Sequence, residues 1–352
     1  MKARCPITAV IPTFNRARLL DRAIQSVLNQ TVQPSQIIVV DDGSSDGTAQ
    51  LCEAYAGRVE YVWQRNAGAS AARNLGIQLA RNPWVAFLDS DDYWNVWHLT
   101  RMMAAISKTA HEAAFYFADM QLSDADGGGT LWESLAFRPT SPHCLVRDAS
   151  AWALMKRQPT MLQSSVISKQ ALERIGGFDV RFRLLLEDAH LFCRLGIGGV
   201  GCAVTGVGSV QTSDASPARL TGATPMGSDK HIAESLMLWR DVLGSGSILP
   251  AEFHRLARYN VAGSYWGLGR NLMRAGRFAR AAVFLIAAVA VDPHLALWLL
   301  RHRTREGYEQ TVRPSSAGPS AGHALPARAR FERVPVDVAQ GPPAMEQFFL
   351  IR

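Results

Sequence analysis

Short apolar runs alternate with segments of helical spacing along the first part of the chain. Ile7–Pro12, Gln36–Val40, Val59–Trp63 and Trp84–Leu88 are brief runs rich in β-branched and aromatic residues, which predicts strands. Between them, Leu19–Asn29 sets Leu20, Ala23, Ile24, Val27 and Leu28 on one helical face. Asp46–Tyr55 predicts a short helix capped by Ser45 or Asp46, and Ser70–Ala80 predicts another. Strands and helices in this alternation imply an α/β fold whose mostly parallel sheet carries helices on both faces. Ligands of such sheets bind beyond the carboxyl ends of the strands. Thr13-Phe14-Asn15-Arg16, Asp41-Asp42-Gly43-Ser44 and Asp89-Ser90-Asp91-Asp92 all follow strands directly and are expected to converge on one edge.

The pattern loosens from Ala113. Ala113–Met120 predicts another strand, a Gly-rich loop follows at Asp126–Gly129, and residues 130–165 show no clean periodicity. A helix from about Ser168 leads to Ile175-Gly176-Gly177-Phe178-Asp179, a further helix opens at Glu187-Asp188, and Gly196–Gly208 reads as strand plus turns. Residues 211–230 are polar and predict a mobile loop. A different, helical module begins near His231. Within it Tyr265, Leu268, Gly269, Ala281, Leu285, Ala288 and Pro293 follow the spacing of one tetratricopeptide-type hairpin, interrupted at Arg274-Ala275-Gly276. A single copy cannot build a solenoid, so it is expected to pack on the main domain. From Thr311 the chain turns to Pro, Ser, Ala and Gly, a composition that cannot bury a core. The expected organisation is a main domain over 1–225, a helical extension over 231–305 and a disordered tail over 306–352.

Composition narrows the function classes. An apolar fraction of 48% and a charged fraction of 19% over 352 residues are those of an ordinary globular protein, so a folded enzyme is the default expectation. A net charge of +7 favours anionic partners. Nucleic acid is not expected, because Lys and Arg are scattered and never interleaved with aromatics as a basic run. Five widely spaced cysteines without a CxxC pair predict reduced thiols in a cytosolic compartment. The N-terminus has no long apolar region of a signal peptide. The longest apolar stretch, Ala281–Leu300, is broken at Asp292-Pro293-His294 and is too short before it to span a bilayer. The expected location is cytoplasmic, with a peripheral contact at the inner face of the membrane left open.

The candidate chemistry centres on Trp84–Asp92, an apolar run ending in three carboxylates within four residues. Charges so placed repel one another and lose hydration, and a cation held between them would offset both costs. Oxygen-only ligands point to Mg²⁺ or Mn²⁺. The other reading of the segment alone is a solvated turn, since Asp and Ser are common turn formers. No GxGxxG follows the first strand, which argues against a nucleotide-dependent dehydrogenase.

Six segments taken in order resemble the family 2 inverting glycosyltransferases with the GT-A fold. They are Val10-Ile-Pro-Thr-Phe-Asn-Arg16, Ser26-Val-Leu-Asn-Gln-Thr31, Ile38-Val-Val-Asp-Asp-Gly-Ser-Ser-Asp-Gly-Thr48, Asn66-Ala-Gly-Ala-Ser-Ala-Ala-Arg-Asn-Leu-Gly76, Phe87-Leu-Asp-Ser-Asp-Asp-Tyr-Trp94, and Ile175–Asp179 with Glu187-Asp188. The resemblance implies a hexosyltransferase-type enzyme of polysaccharide or lipid-linked glycan synthesis, with a nucleotide-sugar donor and a glycan or lipid-linked acceptor. It implies donor contacts at Pro12, Thr13, Asn15, Arg16, Asp41, Asp42, Asn66, Gly68, Arg73 and Asp89. Asp42 would meet the base or ribose, and Arg73 the phosphates, although a lone helical Arg is ordinarily solvated. Asp89-Ser90-Asp91 matches the family's DxD motif, with Asp91 the first metal ligand and Asp89 or Asp92 beside it. Glu187-Asp188 matches the ED motif, in which Asp188 would be the catalytic base and Glu187 would position it or the acceptor. Two departures stand out. Val210–Ser216 holds no His to complete a metal shell, and His190, where an acid is common, is expected only to pack its helix. No QxxRW element is present, which argues against a processive synthase. The rival from another class is a catalytically silent scaffold that keeps the fold.

Overall fold

A computed structural model describes residues 3–155, 157–183, 185–212, 227–246 and 249–302. The four apolar runs form β1 (Arg4–Thr13), β2 (Gln33–Asp41), β3 (Glu60–Trp63) and β4 (Trp84–Phe87), joined by α1 (Ala17–Leu28), α2 (Thr48–Glu53) and α3 (Ala69–Leu79). These strands are parallel in the order β3-β2-β1-β4, as the alternation requires. The second helix is shorter than Asp46–Tyr55. Asp46 stays outside it, accepting the Thr48 amide (3.1 Å) and the Ala17 amide (3.0 Å), so it stitches the starts of α1 and α2 together. Ser45 does not cap either; its amide (2.8 Å) and its hydroxyl (3.4 Å) both turn to Asn15 Oδ1.

Beyond β4 come β5 (Tyr93–Trp94), α4 (His98–Lys108), β6 (Phe115–Gln121), α5 (Leu131–Leu135), β7 (His143–Val146), α6 (Ser150–Ala153), β8 (Ser165–Ser168), α7 (Lys169–Arg174), α8 (Glu187–Gly196) and β9 (Gly201–Val210). Strand β8 inserts antiparallel between β4 and β6, β6 runs parallel to β9, and β5 and β7 each pair antiparallel with β9. The period-two alternation of the strands divides the core between the two faces. Ile7, Ala9 and Ile11 pack with Leu20, Ile24, Leu99 and Met102 of α1 and α4. Val10, Val85 and Phe87 pack with Ala72, Ile77, Leu172 and Phe192 of α3, α7 and α8. The aperiodic stretch 130–165 is organised by rings: Trp132, Phe137 and Trp152 surround Phe117 at centroid distances of 5.3 to 6.1 Å.

The helical extension comprises α9 (Asp229–Gly244), α10 (Ala251–Arg274), α11 (Phe278–Val291) and α12 (Pro293–His302). Gly276, at φ +71°, reverses the chain between α10 and α11, and Gly269 lets the two helices close, since a Cβ there would lie 2.8 Å from Leu285. The extension packs on the α/β part. Leu238, Val242, Phe253 and Tyr259 share one buried cluster with Leu154, Phe182 and Cys193. Residues 213–226 of the expected loop and the expected tail lie outside the described residues. No described helix is long and apolar enough to cross a membrane. All five cysteines are free and buried.

Candidate active site

The parallel strands deliver the three polar clusters to one sheet edge, as their sequence positions require. At the end of β2 the two aspartates separate. Asp41 is turned inward, accepting from the Tyr61 hydroxyl (2.7 Å) and the Ser44 amide (2.8 Å). Asp42 holds the loop before α3, accepting from Gln64 Nε2 (2.6 Å), the Ala67 amide (2.9 Å) and the Gly68 amide (2.8 Å). Gly43 permits this contact, because a Cβ would stand 2.9 Å from the Asn66 amide nitrogen. At the end of β1, Pro12 and Thr13 are buried, and Thr13 Oγ1 has no partner among the described residues. Asn15, at φ +51°, donates its amide to Ser44 Oγ at 2.8 Å.

The acids after β4 do not repel one another freely; each has a partner of its own. Asp89 accepts from Arg73 Nη2 (2.7 Å) and Gln163 Nε2 (2.6 Å). Asp91 pairs with Arg16 Nη1 at 2.7 Å. Asp92 accepts from the Thr212 amide (3.2 Å) and Gln163 Nε2 (3.3 Å). Behind them Arg22 donates to the Asp91 carbonyl (2.9 Å) and to Thr212 Oγ1 (2.8 Å), fixing the turn that presents these carboxylates. Thr212 thus occupies the region where a metal-binding His was sought. Gln163, Arg22 and Thr212 carried no sequence signal, since each lies far along the chain from the acids it serves.

Arg73 is not a solvated helical arginine. It is buried, and its two terminal nitrogens reach Asp89 at 2.7 Å and Glu187 at 2.9 Å. Burial disfavours its charge, but the two carboxylates outweigh that and raise its pKa. Its guanidinium also lies 5.4 Å from the centroid of the Phe178 ring. The next residue, Asn74, exchanges two hydrogen bonds with the Phe178 backbone at 2.7 and 2.8 Å. Gly177, at φ +71°, must be glycine there, because a Cβ would come 2.4 Å from Asn74 Oδ1. Helix α3 therefore docks the segment that leads into α8.

Asp188 stands in the first turn of α8, partly exposed beside Glu187. Burial and the adjacent Glu187 charge push its carboxyl up to about 7. A carboxylate tuned to that range can take a proton from a hydroxyl near neutrality. A small cleft opens beside Glu187, between Gly68 and Ser70 on one wall and Phe182, Arg183 and Glu187 on the other.

The extension reaches the same segment from behind. Glu234 of α9 accepts the backbone amides of Arg183 (2.9 Å) and Leu185 (3.1 Å). Asp241, two turns further on, pairs with Arg181 (2.7 Å) and His190 Nε2 (3.3 Å). His190 is thus more than a packing residue, although it also stacks on Phe182 at 4.3 Å. Asp179, His190 and Asp241 lie close enough to share an ion, but the Arg181 guanidinium already pairs with both acids.

A Rossmann-like sheet with acid clusters at the ends of its parallel strands, an acidic helix start beside them and helices appended is the architecture of the GT-A fold. Residues 8–145 match the glycosyl transferase family 2 model. An uncharacterized glycosyltransferase of Nostoc sp. is 29% identical over 206 residues, 55% of this chain and 61% of that protein. The matched stretches span only 13% to 61% of the length of the first curated relatives. Among solved structures, Staphylococcus aureus TarS 1–349 in complex with UDP-GlcNAc superposes with a TM-score of 0.61 at 18% identity, covering 90% of this chain and 89% of that one. A mannosyltransferase of Pyrobaculum calidifontis in complex with GDP-Man and Mn²⁺ gives 0.52 at 18% identity, covering 89% and 86%.

Proposed function

We propose that this protein is a divalent-metal-dependent, inverting glycosyltransferase that moves one sugar from a nucleoside-diphosphate donor to a hydroxyl acceptor. The observation that carries the reading is Arg73, whose guanidinium joins Asp89 of the DxD segment to Glu187 of the ED segment. Those two motifs are separated by almost a hundred residues, and one buried cation puts them in a single site.

The residues take separate duties. Thr13 Oγ1, buried and without a partner among the described residues, and Asp42 face the donor's nucleoside, with Asn15, Asn66 and Gly68 on the surrounding loops. Asp188 takes the acceptor hydroxyl's proton as that oxygen attacks the anomeric carbon opposite the leaving nucleoside diphosphate. One displacement inverts that carbon, and general-base assistance contributes on the order of 10²–10⁴-fold. Glu187 keeps the Asp188 pKa high and anchors Arg73. Asp91, with Asp89 and Asp92 beside it, offers the oxygen-only set that suits Mn²⁺ or Mg²⁺, and the Arg16 guanidinium paired with Asp91 supports a cation-binding role there. When bound, such an ion neutralises charge on the departing diphosphate. The TarS complex and the Mn²⁺-bearing mannosyltransferase support this assignment by fold. The acceptor we infer is a surface glycan or its lipid-linked precursor, which carries with it a peripheral site of action at the inner face of the membrane.

Purified protein incubated with UDP-, GDP- and dTDP-sugars plus Mn²⁺ tests the reading; failure to bind or hydrolyse any of them would end it. The ion pairs that already neutralise Asp89 and Asp91 favour one alternative, a silent scaffold of the same fold. Asp188→Asn separates the two: an enzyme keeps donor binding and loses turnover, whereas a scaffold keeps its biological effect.

A further inference from the structure

Helix α11 is apolar on both faces. Arg280 is its single charged residue. Ala281 and Ala288 are buried, at 0% and 2% exposure, whereas Val283, Ile286 and Val289 are 58%, 68% and 44% exposed. Leu297 of α12 is also exposed, at 54%, as are Phe278 and Met273 at the hairpin tip, at 63% and 43%. Exposed residues at 279, 282, 283, 286 and 290 follow helical spacing and so form one continuous stripe. Contiguous apolar surface of this kind marks a contact site.

Charge identifies the partner. Arg270, Arg274, Arg277 and Arg280 crowd the hairpin tip, all exposed and none in an ion pair among the described residues. The sequence from 270 to 298 contains one acid, Asp292. That acid is buried and accepts the Leu295 amide at 3.1 Å. At about 1.5 Å per residue α11 is too short to cross a bilayer. Its apolar stripe with a basic margin suits a helix lying in the interfacial plane, where arginines meet anionic head groups.

We propose that the outer face of α11, with the arginine cluster at its tip, is a docking surface for an anionic lipid bilayer. This deepens the proposed function by naming the membrane contact of a lipid-linked acceptor, yet it is read without any sugar, so either can fail alone. The test is co-sedimentation of the full chain with vesicles of phosphatidylcholine alone and of phosphatidylcholine mixed with phosphatidylglycerol. Binding is expected to the mixed vesicles, weakening as salt rises. Ile286→Asp, and separately Arg274→Glu with Arg277→Glu, should each weaken it by at least about tenfold. Circular dichroism melting should be unchanged in both, since these side chains are exposed. The proposal is overturned by no binding to anionic vesicles, by binding indifferent to both variants, or by an Ile286→Asp effect confined to converting a dimer to a monomer in light scattering, which would assign the face to a second copy. Binding that emerges only when 303–352 is removed would assign it to the chain's own tail, and overturn it equally.

Discussion

Arg73 and Glu187 meet at 2.9 Å, and the same guanidinium reaches Asp89 at 2.7 Å, with only 5% of the arginine side chain exposed. Removing the cation strands two carboxylates in a low-dielectric site beside a third, Asp188. Breaking a buried pair in this way costs about 3–5 kcal/mol. Arg73→Ala should therefore lower stability by an amount of that order in urea denaturation. Arg73→Lys should recover only part, because a single ammonium cannot span both acids in the arginine's fork.

Asp188 gives a pH dependence of known sign. Its carboxyl is raised from 3.8 to about 7 in the folded protein. Between those values the folded state holds a proton that the unfolded chain has released, so stability falls as pH rises through this window. Asp188→Asn removes the effect. Its melting temperature should exceed the parent's at pH 8 and match it near pH 4, as calorimetry would show. In turnover, the parent's rate should rise as pH passes through about 7. Glu187→Gln, by deleting the neighbouring charge, should move that limb to lower pH.

Arg16 occupies Asp91 at 2.7 Å. A metal ion at Asp91 must compete with this guanidinium. Arg16→Ala should therefore bind Mn²⁺ more tightly than the parent in electron paramagnetic resonance titration without donor. Asp91→Asn should bind it more weakly. Equal affinity in all three proteins would remove Asp91 from the metal site.

How much of this could be read beforehand depends on range. The strands β1, β2 and β4 announce themselves because each is a dense apolar run closed by a polar cluster, and the sheet edge follows from their parallel order. Strand β8, Ser165–Ser168, does not, because four residues entering antiparallel between β4 and β6 owe their conformation to partners far away in sequence. The acids Asp42, Asp91 and Asp188 were legible through motifs. Their neutralisers were legible only in part: Arg16 and Arg73 sit within motifs, but Gln163 and Thr212 have no local pattern that ties them to Asp89 and Asp92. The inward turn of Asp41 is likewise set by Tyr61, a strand away.

Glu234 makes a prediction about α8 from outside the α/β part. It is 7% exposed and holds the amides of Arg183 and Leu185. Glu234→Ala should release both, and leaving such groups unpaired costs about 1–3 kcal/mol. Hydrogen-exchange mass spectrometry should show faster exchange over 181–186, with turnover falling more than donor affinity. Glu234→Gln keeps one carbonyl oxygen and should lie between.

The segment 178–186 is held by Asn74 and Ser70 of α3 on one side and by Glu234 and Asp241 of α9 on the other. The appended helices consequently act as a splint for the ED motif, and the chain is not assembled from interchangeable parts. A chimera that grafts another relative's helical extension onto residues 1–212 has to supply acids at the two α9 positions. Without them, a recombinant is expected to fold yet present Asp188 at the wrong angle.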